Sequence, residues 1–231
     1  MSKRGAIFDL DGTLADTSAD LLNAANSALS PRGLPLLSLE HDRSYAGRGG
    51  RSMIRRSIVL AGRDPDDPAQ VSLTDAIYPE LLEAYSAALA VHTVLFPKVE
   101  ACLDDLDADG WMLGVCTNKP ERMAIGVLEA LGVLHRFGAL LGADTLAVRK
   151  PDPEHVRVTA QRCGADPARC VMIGDTSTDL NAARAAGIPC VLTEFGFAAE
   201  PLDELAPDAI VGCYSEIPGT VARLMPVIAS A

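Results

Sequence analysis

From Val99 onward the chain alternates short, wholly apolar runs with longer segments of helical periodicity, and this alternation limits the possible folds most. The apolar runs are Met112–Cys116, Ala139–Leu141, Cys170–Ile173, Cys190–Thr193 and Ala209–Val211. The helical segments are Val99–Asp109, Glu121–Leu131, Pro153–Cys163, Thr178–Ala186 and Glu216–Ile228. Strands that are apolar throughout, rather than at every second residue, are buried on both faces. Their alternation with helices implies parallel pairing under two helical layers. Gly132 and Gly187 stand where helix C-caps are expected. Ala6-Ile7-Phe8, near the N-terminus, is a further apolar run of the same kind.

Between Asp16 and about Val91 the pattern changes to helical periodicity without a convincing strand. Thr17-Ser18-Ala19-Asp20 has the form of a capping box, and Leu21, Leu22, Ala25 and Leu29 then make one apolar stripe. Further helices are expected over Ser52–Ala61 and in a stretch ending near Leu89, with Pro79 a candidate boundary. The expected architecture is an α/β, Rossmann-like doubly wound parallel sheet core (1–15 and 92–231) with a small all-helical insertion (16–91) after the first strand. A hydrophobic content of 48% over 231 residues is ample for such a core, and the scarcity of aromatics makes it aliphatic and alanine-rich.

The net charge of −11 argues against non-specific binding to nucleic acid or to an anionic membrane surface. An anionic substrate would need a local cluster of cations. No apolar run approaches the ~20 residues of a membrane span. The start, Met1-Ser2-Lys3-Arg4-Gly5, leaves no room for a signal peptide before the first strand, so a cytoplasmic protein is expected. Six cysteines (102, 116, 163, 170, 190, 213) form no Cys-x-x-Cys pair and lie mostly in apolar stretches, which suits small buried hydrophobes. Histidines 41, 92, 135 and 155 show no metal-ligand spacing and suggest no role.

Ligands of an open parallel sheet bind beyond the C-terminal ends of its strands. Ala6–Phe8 is followed by Asp9-Leu10-Asp11-Gly12-Thr13, two carboxylates directly after a buried strand. Carboxylates there are costly unless paired or used, and a hard divalent cation is the natural partner of such oxygens. Met112–Cys116 is followed by Thr117-Asn118, and Cys170–Ile173 by Gly174-Asp175 with Asp179 four residues on. Lys150-Pro151 precedes the helix that starts near Pro153.

This set, in this order along nearly the whole chain, resembles the haloacid dehalogenase superfamily. The resemblance implies that Asp9 is a nucleophile forming an aspartyl-phosphate. Asp9 and Asp175 side chains and the Asp11 backbone carbonyl would bind Mg²⁺. The Asp11 side chain would protonate the leaving alkoxide and then activate water. Thr117 and backbone N–H groups near Gly12 would hold phosphate oxygens, with Asn118 close by. Lys150 would neutralise Asp9 and the phosphoryl group, and Asp179 would orient metal-bound waters or Lys150. The cations are needed, because a phosphate dianion and a carboxylate repel by roughly 8 kcal/mol at about 4 Å and an effective dielectric near 20.

The helical insertion resembles the family's small cap, and Arg48, Gly49 and Arg51 within Gly47–Ser52 are its candidate specificity residues. With Arg55 and Arg56 they concentrate positive charge suited to a substrate carboxylate or second phosphate. Thr117-Asn118-Lys119-Pro120 and Gly196-Phe197 together resemble phosphoglycolate phosphatases, which makes 2-phosphoglycolate the favoured small phosphorylated metabolite. Asp11 argues against haloalkanoate dehalogenation. The four lysines (3, 98, 119, 150) leave none in the insertion for Schiff-base phosphonate hydrolysis. A phosphomutase on the same core, or a non-catalytic phosphoryl-binding regulatory module, is the alternative.

Overall fold

The computed structural model describes residues 2–227, so the expected helical residue Ile228 lies outside the described residues. In chain order the chain forms β1 (Gly5–Phe8), β2 (Ala15–Asp16), α1 (Ser18–Leu29), α2 (Leu39–Ala46), α3 (Gly50–Leu60) and α4 (Pro68–Ala87). There follow β3 (Val94–Leu95), α5 (Val99–Ala108), β4 (Met112–Cys116), α6 (Glu121–Ala130), β5 (Ala139–Leu141) and α7 (Pro153–Cys163). The last are β6 (Cys170–Gly174), α8 (Ser177–Ala186), β7 (Cys190–Thr193), β8 (Ala209–Val211) and α9 (Ile217–Leu224).

Six strands make one parallel sheet in the order β5-β4-β1-β6-β7-β8. β1 is central, with Ile7 level with Gly114 on one side and Met172 on the other. Ala6, Ile7 and Phe8 are fully buried, as strands covered on both faces must be. Ile7, Cys116 and Met172 pack with Val156 and Ala160 of α7 and Leu180 and Ala183 of α8. From β1 the chain winds outward through β4 and β5, then returns to lay β6, β7 and β8 on the other side. The reversal falls between β1 and β6, which is where such sheets open a crevice.

The chain divides into this sheet unit, built from residues up to Ala15 and from Leu95 onward, and a helical unit, Asp16–Val94. In the helical unit α1 packs against α2, α3 and α4, burying Leu22, Ala25, Leu29, Ile54, Ile77 and Leu81. The expected capping box does not form: the Thr17 side chain makes no cap hydrogen bond. Asp20 is buried and instead accepts from the backbone N–H of His92 (2.9 Å) and Thr93 (2.9 Å) and from the Thr93 hydroxyl (2.7 Å). Pro79 does not end a helix. It lies inside α4, whose residues on both sides of it are anchored by burial of Thr74, Ile77, Leu81 and Tyr85. α2 carried no apolar stripe to announce it; its Asp42 is buried against Arg56 at 2.8 Å. A 3-10 turn, Tyr214–Glu216, leads into α9, which begins one residue after the expected start, ends at Leu224 and carries Pro218 in its first turn.

All six cysteines are free, and all but Cys213 are buried. Among the described residues no helix is long and apolar enough to cross a membrane.

Candidate active site

Asp9 and Asp175 flank the reversal point, each one residue past its strand. The Asp9 N–H still donates to Ile173 O at 2.9 Å, so the backbone holds the β1 ladder to its end. Asp9 Oδ1 accepts from Leu10 N–H at 2.7 Å and pairs with Lys150 Nζ at 2.9 Å. Asp175 is fully buried. Its Oδ1 accepts from the Thr13 hydroxyl at 3.1 Å and its Oδ2 from Phe197 N–H at 2.7 Å. Gly12, at φ +80, and Gly196 both press on the Asp175 side chain, and a Cβ at either position would overlap it.

Asp179, in the first turn of α8, reaches back to the Thr176 N–H (3.1 Å) and hydroxyl (2.8 Å) with Oδ2, while Oδ1 accepts from Lys150 Nζ at 2.7 Å. Carboxylate oxygens of Asp9, Asp175 and Asp179 lie within 4.8 Å of one another.

Lys150 is held from three directions. Its carbonyl accepts from the Asn118 amide at 2.9 Å, its N–H donates to His155 Nδ1 at 3.3 Å, and its ammonium bridges Asp9 and Asp179. Because His155 Nδ1 accepts, Nε2 carries the ring proton and donates to Gly142 O at 3.1 Å. Burial, reinforced by the Lys150 ammonium, pushes His155 down to about 4, so the ring is neutral. Thr117, buried at the end of β4, accepts from Lys119 N–H at 3.2 Å, and Lys119 Nζ donates to Asp11 Oδ1 at 2.8 Å.

Burial raises Asp9 to about 6, although the Lys150 ammonium pulls the other way. Burial also holds Asp175 well above the usual carboxylate range, with Asp179 and Asp9 adding to the effect. Burial acts to lower Lys150, but Asp179 and Asp9 outweigh it and stabilise the ammonium. When ionised, the four carboxylates (Asp9, Asp11, Asp175, Asp179) exceed the two lysines by two negative charges. One divalent cation balances that excess, and the donors are hard oxygens. Asp9 and Asp175, at the two strand ends, are suited to hold it, with the Asp179 carboxylate close beside them. The residues fit a divalent metal.

The structure thus brings together Asp9, Asp11, Thr117, Asn118, Lys150, Asp175 and Asp179. The Gly12 N–H donates to Ala15 O at 3.0 Å, where the loop closes as a tight turn. The Asn118 side-chain amide donates to Lys150 O and so lies beside the lysine.

The arginine cluster of the helical unit is also committed locally. Arg51 pairs with Asp75 and stacks over Tyr78 (4.4 Å), Arg55 pairs with Asp66 (2.6 Å), and Arg56 with Asp42 (2.8 Å). Arg48 lies 5.8 Å from the Tyr45 ring centroid, and Gly49 precedes α3 at φ +85. Carboxylates of α2, of α4 and of the segment before α4 therefore neutralise charge that the sequence alone left available. His155 and Tyr214 stand out in no sequence pattern, and Lys119 and Thr13 fall inside motifs of the sequence with no role assigned to them there. For Lys119 the rarity of lysine was the available signal.

Residues 6–193 match the family model for haloacid dehalogenase-like hydrolases. The chain is 36% identical over 217 residues to a phosphoglycolate phosphatase of Mesorhizobium japonicum, covering 94% of each chain. It is 39% identical over 203 residues to one from Xanthomonas campestris, covering 88% of each. A crystal structure described as a predicted phosphoglycolate phosphatase from Haemophilus somnus superposes with a TM-score of 0.81 at 28% identity, covering 94% of this chain and 97% of that one. With a strand-end carboxylate on either side of the reversal and a family match over most of its length, the chain belongs to the haloacid dehalogenase-like hydrolases.

Proposed function

We propose that the protein is a magnesium-dependent phosphatase of small phosphomonoesters that works through an aspartyl-phosphate on Asp9, with 2-phosphoglycolate the favoured substrate. The observation that carries this reading is the Asp9 carboxylate, set 2.9 Å from a buried lysine and beside the second carboxylate, Asp175. The names of the relatives support the substrate.

An Asp9 oxygen attacks phosphorus and the bond to the ester oxygen breaks. Asp11 gives its proton to the departing alkoxide. It then takes one from the water that attacks the aspartyl-phosphate, so that inorganic phosphate leaves and Asp9 is regenerated. Lys150 neutralises charge on Asp9 and the transferring group, and the Thr117 hydroxyl donates to a phosphoryl oxygen. Asp179 keeps Lys150 aimed at Asp9. Asp9, Asp175 and the Asp11 carbonyl would hold Mg²⁺, which when bound supplies charge neutralisation for the phosphoryl oxygens. Within the helical unit, Arg48, Gly49 and Arg51 are the candidate specificity residues.

The test is release of free phosphate from a panel of phosphate esters with Mg²⁺, compared as kcat/KM. The highest value is expected for 2-phosphoglycolate. An isomerised sugar phosphate with little free phosphate would indicate a mutase instead, and no turnover of any ester would overturn the proposal.

A further inference from the structure

The Lys119–Asp11 pair has no part in the mechanism above, yet it parallels Lys150–Asp9. The chain has only four lysines; Lys3 and Lys98 are exposed, while Lys119 and Lys150 are buried, each against one carboxylate of the Asp9-Leu10-Asp11 segment. The Lys119 side chain is 3% exposed and that of Asp11 is 17% exposed, with Nζ and Oδ1 2.8 Å apart. Removing an ammonium from water is costly, and a buried ion pair seldom repays it in stability, so such a pair is better understood by what it orients.

Lys119 is well built to orient. Its N–H donates to the Thr117 hydroxyl oxygen at 3.2 Å, and its carbonyl accepts from Ala143 N–H at 2.9 Å. The backbone is therefore fixed on both sides, and the buried stem delivers the ammonium to one place. Asp11 sits in the loop beyond the β1 ladder, and the Lys119 ammonium meets its carboxylate there.

We infer that Lys119 is a positioning residue for Asp11. Its ammonium fixes the rotamer of the carboxyl group that exchanges a proton first with the leaving alkoxide and then with water. The inference rests on the assignment of Asp11 as the acid–base group. It predicts that Lys119 acts through Asp11 and not directly on the phosphoryl group.

A double-mutant cycle tests this, using Lys119→Met, Asp11→Asn and the double variant in full-length protein with Mg²⁺. The substrates are p-nitrophenyl phosphate, whose leaving group departs without a proton, and an alkyl phosphate, whose leaving group needs one. Lys119→Met should lower steady-state turnover about tenfold to a hundredfold, more for the alkyl ester, with KM for the aryl ester lowered along with turnover and not raised. It should retain a burst of p-nitrophenolate stoichiometric with enzyme, because phosphoryl transfer to Asp9 is intact and only hydrolysis of the intermediate is slowed. Added to Asp11→Asn, it should change turnover by less than about twofold. Lys119→Arg should recover part of the activity. If Lys119→Met does not fold, as judged by circular dichroism, Lys119→Gln is measured in its place.

Multiplied losses in the double variant, or a lost burst with a raised KM, would overturn the inference by showing that Lys119 contacts the phosphoryl group itself. Wild-type protein that releases no phosphate from any ester would overturn the phosphatase proposal, and this inference with it. Those two failures are distinguished by the wild-type trace alone.

Discussion

The Tyr214 hydroxyl donates to the backbone carbonyl of Thr13 at 2.7 Å, joining residues 201 positions apart. Thr13 donates in turn to Asp175, so a tyrosine just after β8 braces the loop after β1 and, through it, a carboxylate after β6. Tyr214→Phe should destabilise the protein by about 1–2 kcal/mol, because a buried carbonyl loses its donor. Urea unfolding gives the number, and a midpoint unchanged from wild type would show that the brace is idle.

Asp9→Asn should reduce turnover by more than about a thousandfold while the melting temperature stays level or rises. The rise follows from exchanging a carboxylate that burial strains for a neutral amide of the same shape. Phosphate release and thermal melts of the same preparation check both halves. Near-normal turnover would remove Asp9 as the nucleophile.

Chelation should abolish activity and also lower the melting temperature at neutral pH, since Asp9 and Asp175 are then left close together without a balancing charge. Mg²⁺ should restore both, with the melting temperature rising further as its concentration increases. Activity that survives exhaustive chelation would contradict the metal site.

His155 predicts an acid-side loss of stability. Its folded value is about 4 against an ordinary 6.5. Between those values the unfolded chain binds a proton that the folded protein refuses, so stability falls as pH drops from 6.5 to 4 and is level on either side. The full effect is up to about 3 kcal/mol. Asp9 works in the opposite sense in metal-free protein, because its raised value favours the folded form in acid. Comparison with His155→Gln under the same conditions isolates the histidine. The stability advantage of wild type over that variant should shrink across this window, and a constant difference would refute the assignment.

Asp20→Ala should loosen the helical unit. Three donors at His92 and Thr93 lose a shared buried acceptor, at a cost of about 2–4 kcal/mol. Hydrogen exchange at those two amides should accelerate sharply, and unchanged protection would show that other acceptors suffice.

How much of this could be read from the sequence depended on the range of the interactions involved. Strand ends announced Asp9, Asp11, Thr117 and Asp175 because an apolar run followed at once by a carboxylate or hydroxyl is a local pattern. Lys119, His155 and Tyr214 act through partners fixed only by strand order, and nothing near Lys119 says that β4 lies beside β1. Asp20 shows the converse. Its local pattern matched a capping box, but a distant pair of amides offered the carboxylate a buried site. The arginines of Gly47–Ser52 appeared available for the same reason, their partners Asp75 and Asp66 being known only once the helices pack.

The placement of β1 has a consequence for how the chain is made. β1, in the middle of the sheet, leaves the ribosome before both of its neighbours, which begin at Met112 and Cys170. It must wait, solvent-exposed and apolar, while the whole helical unit is synthesised. Pairing β1 on both sides requires closing those two long loops, which slows folding, and a chain truncated before residue 170 leaves a hydrophobic edge open to aggregation.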